Sequence, residues 1–240
     1  MTSIAAELPA IASRDEWLAA RLELLTKEKE HTRMRDALNA ERRRLPMVKV
    51  EKDYRFHSPD GEQRLVDLFE GRAQLIVHHF MWIDGADEGC PGCSMLVDTV
   101  GNLAHLNAAN TTLAFVSRAP LERLEAFRTR MGWTIPIVSS AGTDFNVDFQ
   151  VTLDPSRGAT TYNFRDVREL GGMIASYAGD LPGVSVFARD GDDVYHTYSA
   201  YARGTEHESN IFGFLDFTPL GRQDGRDAEP WARLHDRYGS

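Results

Sequence analysis

The sequence predicts an α/β fold: a mixed sheet flanked by helices, with a long N-terminal helical arm and an insertion before a C-terminal hairpin. Three observations carry this. Two apolar runs, residues 73–82 and 111–117, have the length of buried strands and enclose a helical pattern, as a parallel pair with its crossover does. A further helical pattern, at Leu121, Leu124, Phe127 and Met131, follows the second run. Val184 to Ala188 and Val194 to Ser199 flank the turn Arg189-Asp190-Gly191-Asp192, which signals an antiparallel hairpin. A parallel pair followed by a hairpin makes a mixed sheet with helices on its faces.

Taken in order, residues 14–44 read as one long helix. Trp17, Leu18, Leu22 and Leu25 give it an apolar stripe, which thins to Met34, Leu38 and Leu45 among charges that can pair along the helix. Arg42, Arg43 and Arg44 suit its negative C-terminal end, and Pro46 stops it. One reading is an arm packed on the body through its stripe; the sharper one is a partner-binding arm, including a homodimer contact. Residues 47–68 hold short strands about the turn Ser58-Pro59-Asp60-Gly61. Thr134 to Ser139 is a short extended run. Residues 140–180 show little period and are expected to be an irregular insertion with one short helix. Ile211 to Phe217 ends a last helix. These marks divide the chain into an arm (1–46), a domain (47–221) and a tail (222–240) rich in Pro, Gly and charge.

The chemistry lies between the first two strands. The chain of 240 residues has two cysteines, and they fall in Cys90-Pro91-Gly92-Cys93. Two cysteines placed at random would take this spacing only about once in a hundred, so the spacing carries information. Pro91 fits the first helical position, where no N–H is needed. Cys90 then sits at the cap, facing unpaired amides and the positive end of the helix dipole, which favour thiolate. Cys93 is one turn on, on the same face. The helix is expected to run to about Asn107, with Cys90 the more exposed sulfur. Asp84, Asp87 and Glu88 in the approaching loop oppose a low thiol pKa if they lie close.

Composition bounds the function. An apolar fraction of 42% with 10% aromatic is ordinary for a globular chain with a sizeable core. A net charge of −9 argues against nucleic acid as a partner. No apolar stretch reaches the ~20 residues that span a bilayer, and residues 1–12 lack a basic start. The expected location is the cytoplasm, where a CxxC pair is redox or metal chemistry rather than a permanent staple.

The order of elements, with CxxC opening the first central helix, resembles the thioredoxin-like fold. Leu181-Pro182-Gly183 stands where thioredoxins have a cis-proline facing the dithiol. Ser117-Arg118-Ala119-Pro120 and Thr134-Ile135-Pro136 are similar to a segment of peroxiredoxins. The whole chain resembles a bacterial thioredoxin-like family of unknown function, number eight-nine-nine among such families. Arg42-Arg43-Arg44-Leu45-Pro46, Asp67-Leu68-Phe69, His79-Phe80-Met81, Cys90-Pro91-Gly92-Cys93-Ser94, Arg130-Met131-Gly132-Trp133, Asp144-Phe145-Asn146 and Thr218-Pro219-Leu220-Gly221-Arg222 carry the resemblance. Gly89 stands where thioredoxins have Trp, and the central dipeptide is Pro-Gly rather than Gly-Pro. Asp87 and Ile83 occupy the positions of the peroxiredoxin Thr and Pro, which argues against a peroxidase of that type.

The expectation is therefore a thiol–disulfide oxidoreductase with Cys90 as nucleophile and Cys93 as resolving thiol. The resemblance implies a cis Leu181–Pro182 bond and a groove for an extended substrate, which a trans bond would remove. Trp82, at the end of the first strand, and Arg118, at the sheet edge where ligands bind, are further candidate substrate contacts. The substrate would be a protein or small-molecule disulfide or an oxidant. No nucleotide-binding glycine pattern is present, so no cofactor is expected and electrons would come from another thiol system. The alternative is a non-catalytic binding or dimerisation module whose CxxC is structural or a metal half-site. His78 and His79 point to opposite faces of their strand, so only one could join such a site. Tyr195, Tyr198 and Tyr201 could line a groove. Asp144 and Asp148 lack a partner base.

Overall fold

The structure, a computed structural model, describes residues 8–83, 85–222 and 232–238. Asp84, the first seven residues and most of the tail lie outside it. Helices are α1 (Arg14–Arg42), α2 (Pro91–Thr99), α3 (Ala104–Ala108), α4 (Leu121–Arg130), α5 (Phe145–Asp148) and α6 (Asn210–Leu215). Strands β1 (Val48–Lys49), β2 (Arg55–Ser58), β3 (Gly61–Arg64), β4 (Gln74–His79), β5 (Thr111–Ser117), β6 (Ile137–Ser139), β11 (Gly183–Asp190) and β12 (Asp193–Tyr201) form one sheet in the order β1-β12-β11-β4-β5-β6-β2-β3. Small ribbons join β7 (Thr152–Leu153) to β10 (Gly179–Asp180) and β8 (Thr161–Tyr162) to β9 (Arg165–Asp166).

β4 and β5 are parallel, with α2 in their crossover, and β11 runs antiparallel to β4 and to β12. Four predicted strands thus share one mixed sheet, and the hairpin closes at Asp190 and Asp193. This is the thioredoxin-like architecture, extended on one edge by β6 and the β2–β3 hairpin. The insertion holds one short α-helix, as expected, and also three 3-10 segments and two ribbons that its weak period concealed.

Alternation along β4 divides the core. Leu75 and Val77 face a cluster with Phe56, Phe69, Phe145, Phe149 and Phe187. The opposite face packs Phe115, Leu124, Phe127, Trp133 and Ile137 against Phe80, Cys93, Leu96 and Val97. Each strand residue therefore meets one cluster only.

Two elements differ from expectation. Ser13 and Glu16 close a capping box on α1, but no α1 side chain is buried. Trp17, Leu18 and Leu22 stand exposed, so the arm does not pack through its stripe. Its last turn makes contact, with Arg42 stacked 4.6 Å over Tyr198. The CxxC helix stops at Thr99: Val100 is extended, with ψ of 117°. Thr99-Val100-Gly101 combines two β-branched residues with a glycine, all poor helix formers, and α3 restarts the helix separately.

Candidate active site

Strand β4 delivers the chain to the dithiol through a closed loop. Trp82 and Gly89 form an isolated antiparallel bridge, and Cys90 N donates to Met81 O at 3.3 Å. Cys90 is the N-cap of α2 and Pro91 follows at the first helical position. Ser94 N and Ser94 Oγ both donate to Cys90 O at 2.9 Å, fixing the first turn. The two cysteines come within 4.0 Å of each other. Cys93 is buried, at 3% exposure, and Cys90 is half-buried, as cap and inner position require.

This environment separates the two thiols. Cys90 is pulled down to about 6, first by the Cys93 thiol beside it, then by the backbone N–H groups of Cys93 and Gly92 and by nearby His78, against burial. Its sulfur closes no side-chain cap of the kind Ser or Asp makes; the amides act on it as oriented dipoles. Cys93 is pushed well up, first by its hydrogen bond with Cys90, then by burial and the Cys90 charge. The acidic loop does not reverse the pattern. Glu88 is paired with Arg130 at 2.6 Å and Arg237 at 3.1 Å, and the Asp87 side chain is 95% exposed. Asp84 lies outside the described residues.

A pocket of about 340 Å³ opens over the sulfurs, lined by His78, Cys90, Cys93, Met95, Leu96, Pro182, Glu208 and Phe212. His78 is on the dithiol face of β4 and His79 on the other. His78 Nδ1 lies 3.0 Å from Glu208 Oε2. A carboxylate oxygen only accepts, so Nδ1 carries a hydrogen toward Glu208. Nε2 is buried without a partner. Glu208 ends the 3-10 segment Ala202–Glu208, 130 positions from His78 in the chain. No local pattern marks that pairing in the sequence. Met95 and Leu96 were findable, being on the inner face of the CxxC helix.

The other candidates fall differently. Pro182 lines the pocket, but no peptide bond among the described residues is cis, so Leu181–Pro182 is trans. The reason is visible in the neighbours: β10 leads in as an extended ribbon strand, and Leu181 N donates to Val151 O at 2.8 Å. Pro182 O accepts from Tyr162 Oη at 2.9 Å. The groove expected for an extended substrate is therefore absent. Trp82 is in the core, edge-on to Phe127 at 5.5 Å, with Nε1 donating to Ala86 O at 3.0 Å. It holds the loop rather than lining the pocket. Arg118 also stands outside the pocket: Nε donates to buried Asp180 Oδ1 at 2.8 Å, tying β5 to the β7–β10 ribbon. Tyr201 is packing, with Oη on Phe149 O at 2.9 Å. Asp144 and Asp148 pair with Arg157 and Lys52. Among the described residues no three His, Cys, Asp or Glu side chains are placed to hold a metal ion, and no helix is long and apolar enough to cross a membrane.

Gly89 explains a departure from the thioredoxin pattern. A Cβ there would stand 2.7 Å from Phe80 Cζ and 3.0 Å from Phe127 Cε1, both buried. The Phe80 ring occupies the space a Trp at this position would need. Gly89→Ala should cost about 1–3 kcal/mol by overpacking and raise the alkylation midpoint of Cys90 as the cap shifts. Urea unfolding and a pH series of iodoacetamide rates check both; unchanged values in each would count against the close fit.

A search of the curated proteins finds no match. Among solved structures, a cysteine mutant of PrxQ from Xylella fastidiosa is similar at 14% identity and a TM-score of 0.49, covering 72% of this chain and 94% of that one. The peroxidoxin BcpB of Mycobacterium tuberculosis is similar at 13% identity and a TM-score of 0.47, covering 70% and 92%. The family described as "Bacterial protein of unknown function (DUF899)" matches residues 6–238. The chain, with its CxxC helix set in a mixed sheet, belongs to the DUF899 family.

Proposed function

We propose that the protein is a thiol–disulfide oxidoreductase working through Cys90 and Cys93. The observation that supports this most is the unequal pair: a half-buried cap thiol held low and a buried thiol held high, 4.0 Å away, beneath one pocket. Cys90 thiolate attacks one sulfur of a substrate disulfide. That S–S bond breaks and one substrate thiolate leaves. Cys93 then gives up its proton and attacks the Cys90 sulfur of the mixed disulfide, expelling the second substrate thiolate. Two electrons pass from the dithiol to the substrate, and an external dithiol restores the reduced pair. His78, fixed by Glu208 at 3.0 Å, is the ring that shares the pocket with the pair.

A second reading, a binding module with an idle CxxC, draws on one observation, the missing strand-docking groove. Thiol labelling across a series of redox buffers, with metal analysis on the same sample, separates the two. A two-electron midpoint without metal is the expected result. Thiols that stay reduced throughout, or stoichiometric zinc, would leave only the module.

A further inference from the structure

The pocket over the dithiol has a composition that selects among disulfides. On the reading that the pair is redox-active, we infer that its substrate is a small, uncharged, apolar disulfide rather than a protein strand or an anionic disulfide. Three observations converge.

First, the backbone that an extended chain would pair with is already engaged. Leu181 N donates to Val151 O, Pro182 has no N–H, and Pro182 O accepts from Tyr162. Gly183 is the next residue and sits between His79 and Tyr201 inside the sheet. A polypeptide strand therefore finds no open N–H at positions 181 and 182 beside Cys90, and β-addition lacks its donors there.

Second, the volume is that of a small-molecule site. About 340 Å³ lies within the range of ligand pockets. Residues 202–212 form one wall of it and α2 the other, so the sulfurs lie at the foot of a half-open cleft.

Third, the charges in the lining are answered within the fold. Arg203 Nε pairs with Glu206 at 2.7 Å, and Glu206 is also held by Arg222 at 2.8 Å. Glu208 is paired with His78. The apolar part of the lining is Met95, Leu96, Pro182 and Phe212, with Ala202 beside them and Thr205 and Ser209 the uncharged polar members. An anionic disulfide entering here must strip its carboxylates of water and break an existing pair to replace it, while an alkyl chain gains by leaving water. A polarisable Met adapts to such a ligand and contacts its sulfur favourably.

The test follows thiol loss in the reduced full-length protein mixed with di-n-propyl disulfide, glutathione disulfide or insulin. Each rate is divided by that of a free model thiol with the same reagent. The normalised rate for di-n-propyl disulfide should exceed the other two by about a hundredfold. Equal or faster reaction of glutathione disulfide or insulin overturns the substrate class and leaves the redox reading intact. Failure of all three to oxidise the pair overturns the redox reading, and this inference with it. Met95→Trp, which fills the pocket, and Phe212→Ala, which opens the opposite wall, should each lower the rate with di-n-propyl disulfide relative to that with the much smaller methyl methanethiosulfonate, Met95→Trp by about tenfold. An unchanged ratio in both variants would overturn the pocket as the binding site.

Discussion

Cys90→Ser should lower the rate of disulfide reduction by roughly a thousandfold or more, the scale on which loss of a nucleophile acts. Cys93→Ala should behave differently. It keeps the attacking sulfur but cannot resolve, so the mixed disulfide should accumulate and be seen as a mass adduct. It should also move Cys90 itself, because the Cys93 thiol is the largest of the influences that hold Cys90 near 6. The amides of the first turn remain, so the new midpoint should rise toward the ordinary thiol value without reaching it. At pH 7 a thiol near 6 is about nine-tenths thiolate, whereas one near 9 is about one-hundredth. The lower-pKa sulfur is the weaker nucleophile per thiolate, which offsets part of that difference. Alkylation at pH 6 should therefore slow more in Cys93→Ala than alkylation at pH 9. Equal slowing at both would mean that Cys93 does not tune Cys90.

Acid should destabilise the fold through His79. This ring is buried against Phe145 and Phe149, at centroid distances of 5.5 and 6.2 Å, and Nε2 lies 2.9 Å from Ser185 Oγ. Burial pushes its pKa down to about 3, aided by the neighbouring His78 and His196. The unfolded chain takes up the proton near 6.5, while the folded chain refuses it until about 3. Between those values the unfolded state binds more protons, so stability rises with pH there. The contribution is complete above about 6.5 and is lost as pH falls, by roughly 3 kcal/mol at pH 4 and roughly 4 kcal/mol at pH 3. His79→Phe keeps the stacking, removes a buried Nδ1 that has no partner, and leaves Ser185 Oγ its bond to Ser199 at 2.9 Å. Urea unfolding at pH 7 and pH 4 should show a smaller loss in His79→Phe than in the native chain. Parallel losses would place the acid sensitivity in the carboxylates instead.

Much of this was legible because strands and helix caps are written locally. The apolar runs at 73–82 and 111–117 could only be buried strands, and Asp190-Gly191 could only be a tight turn between two more. Cys90-Pro91 announced a cap. What failed to show depends on distant chain segments. His78 and His79 are adjacent and chemically alike; which one meets the sulfurs is decided by the pleat of β4 against α2. Glu208 approaches His78 from a 3-10 turn with no periodic signature. Pro182 was read through a resemblance, whereas its geometry follows from the β7–β10 ribbon, built inside an insertion whose sequence shows no alternation. The exposed stripe of α1 has the same origin: periodicity states which side of a helix is apolar, and says nothing of whether anything covers it.

The bridge between Trp82 and Gly89, with Cys90 N on Met81 O, sets what can change near the dithiol without moving it. It pinches the chain shut at a neck; beyond it Ala86 O accepts from Trp82 Nε1 at 3.0 Å and Glu88 pairs with Arg130 at 2.6 Å, while the Asp87 side chain between them is 95% exposed. The Phe80 ring locks that neck by filling the place of a side chain at Gly89. Charge can thus change at Asp87 without breaking these ties, since Cys90 is positioned from the strand through Met81 O. Asp87 is therefore a labelling point: a reporter carried there would stand near the dithiol, with both sulfurs left in register.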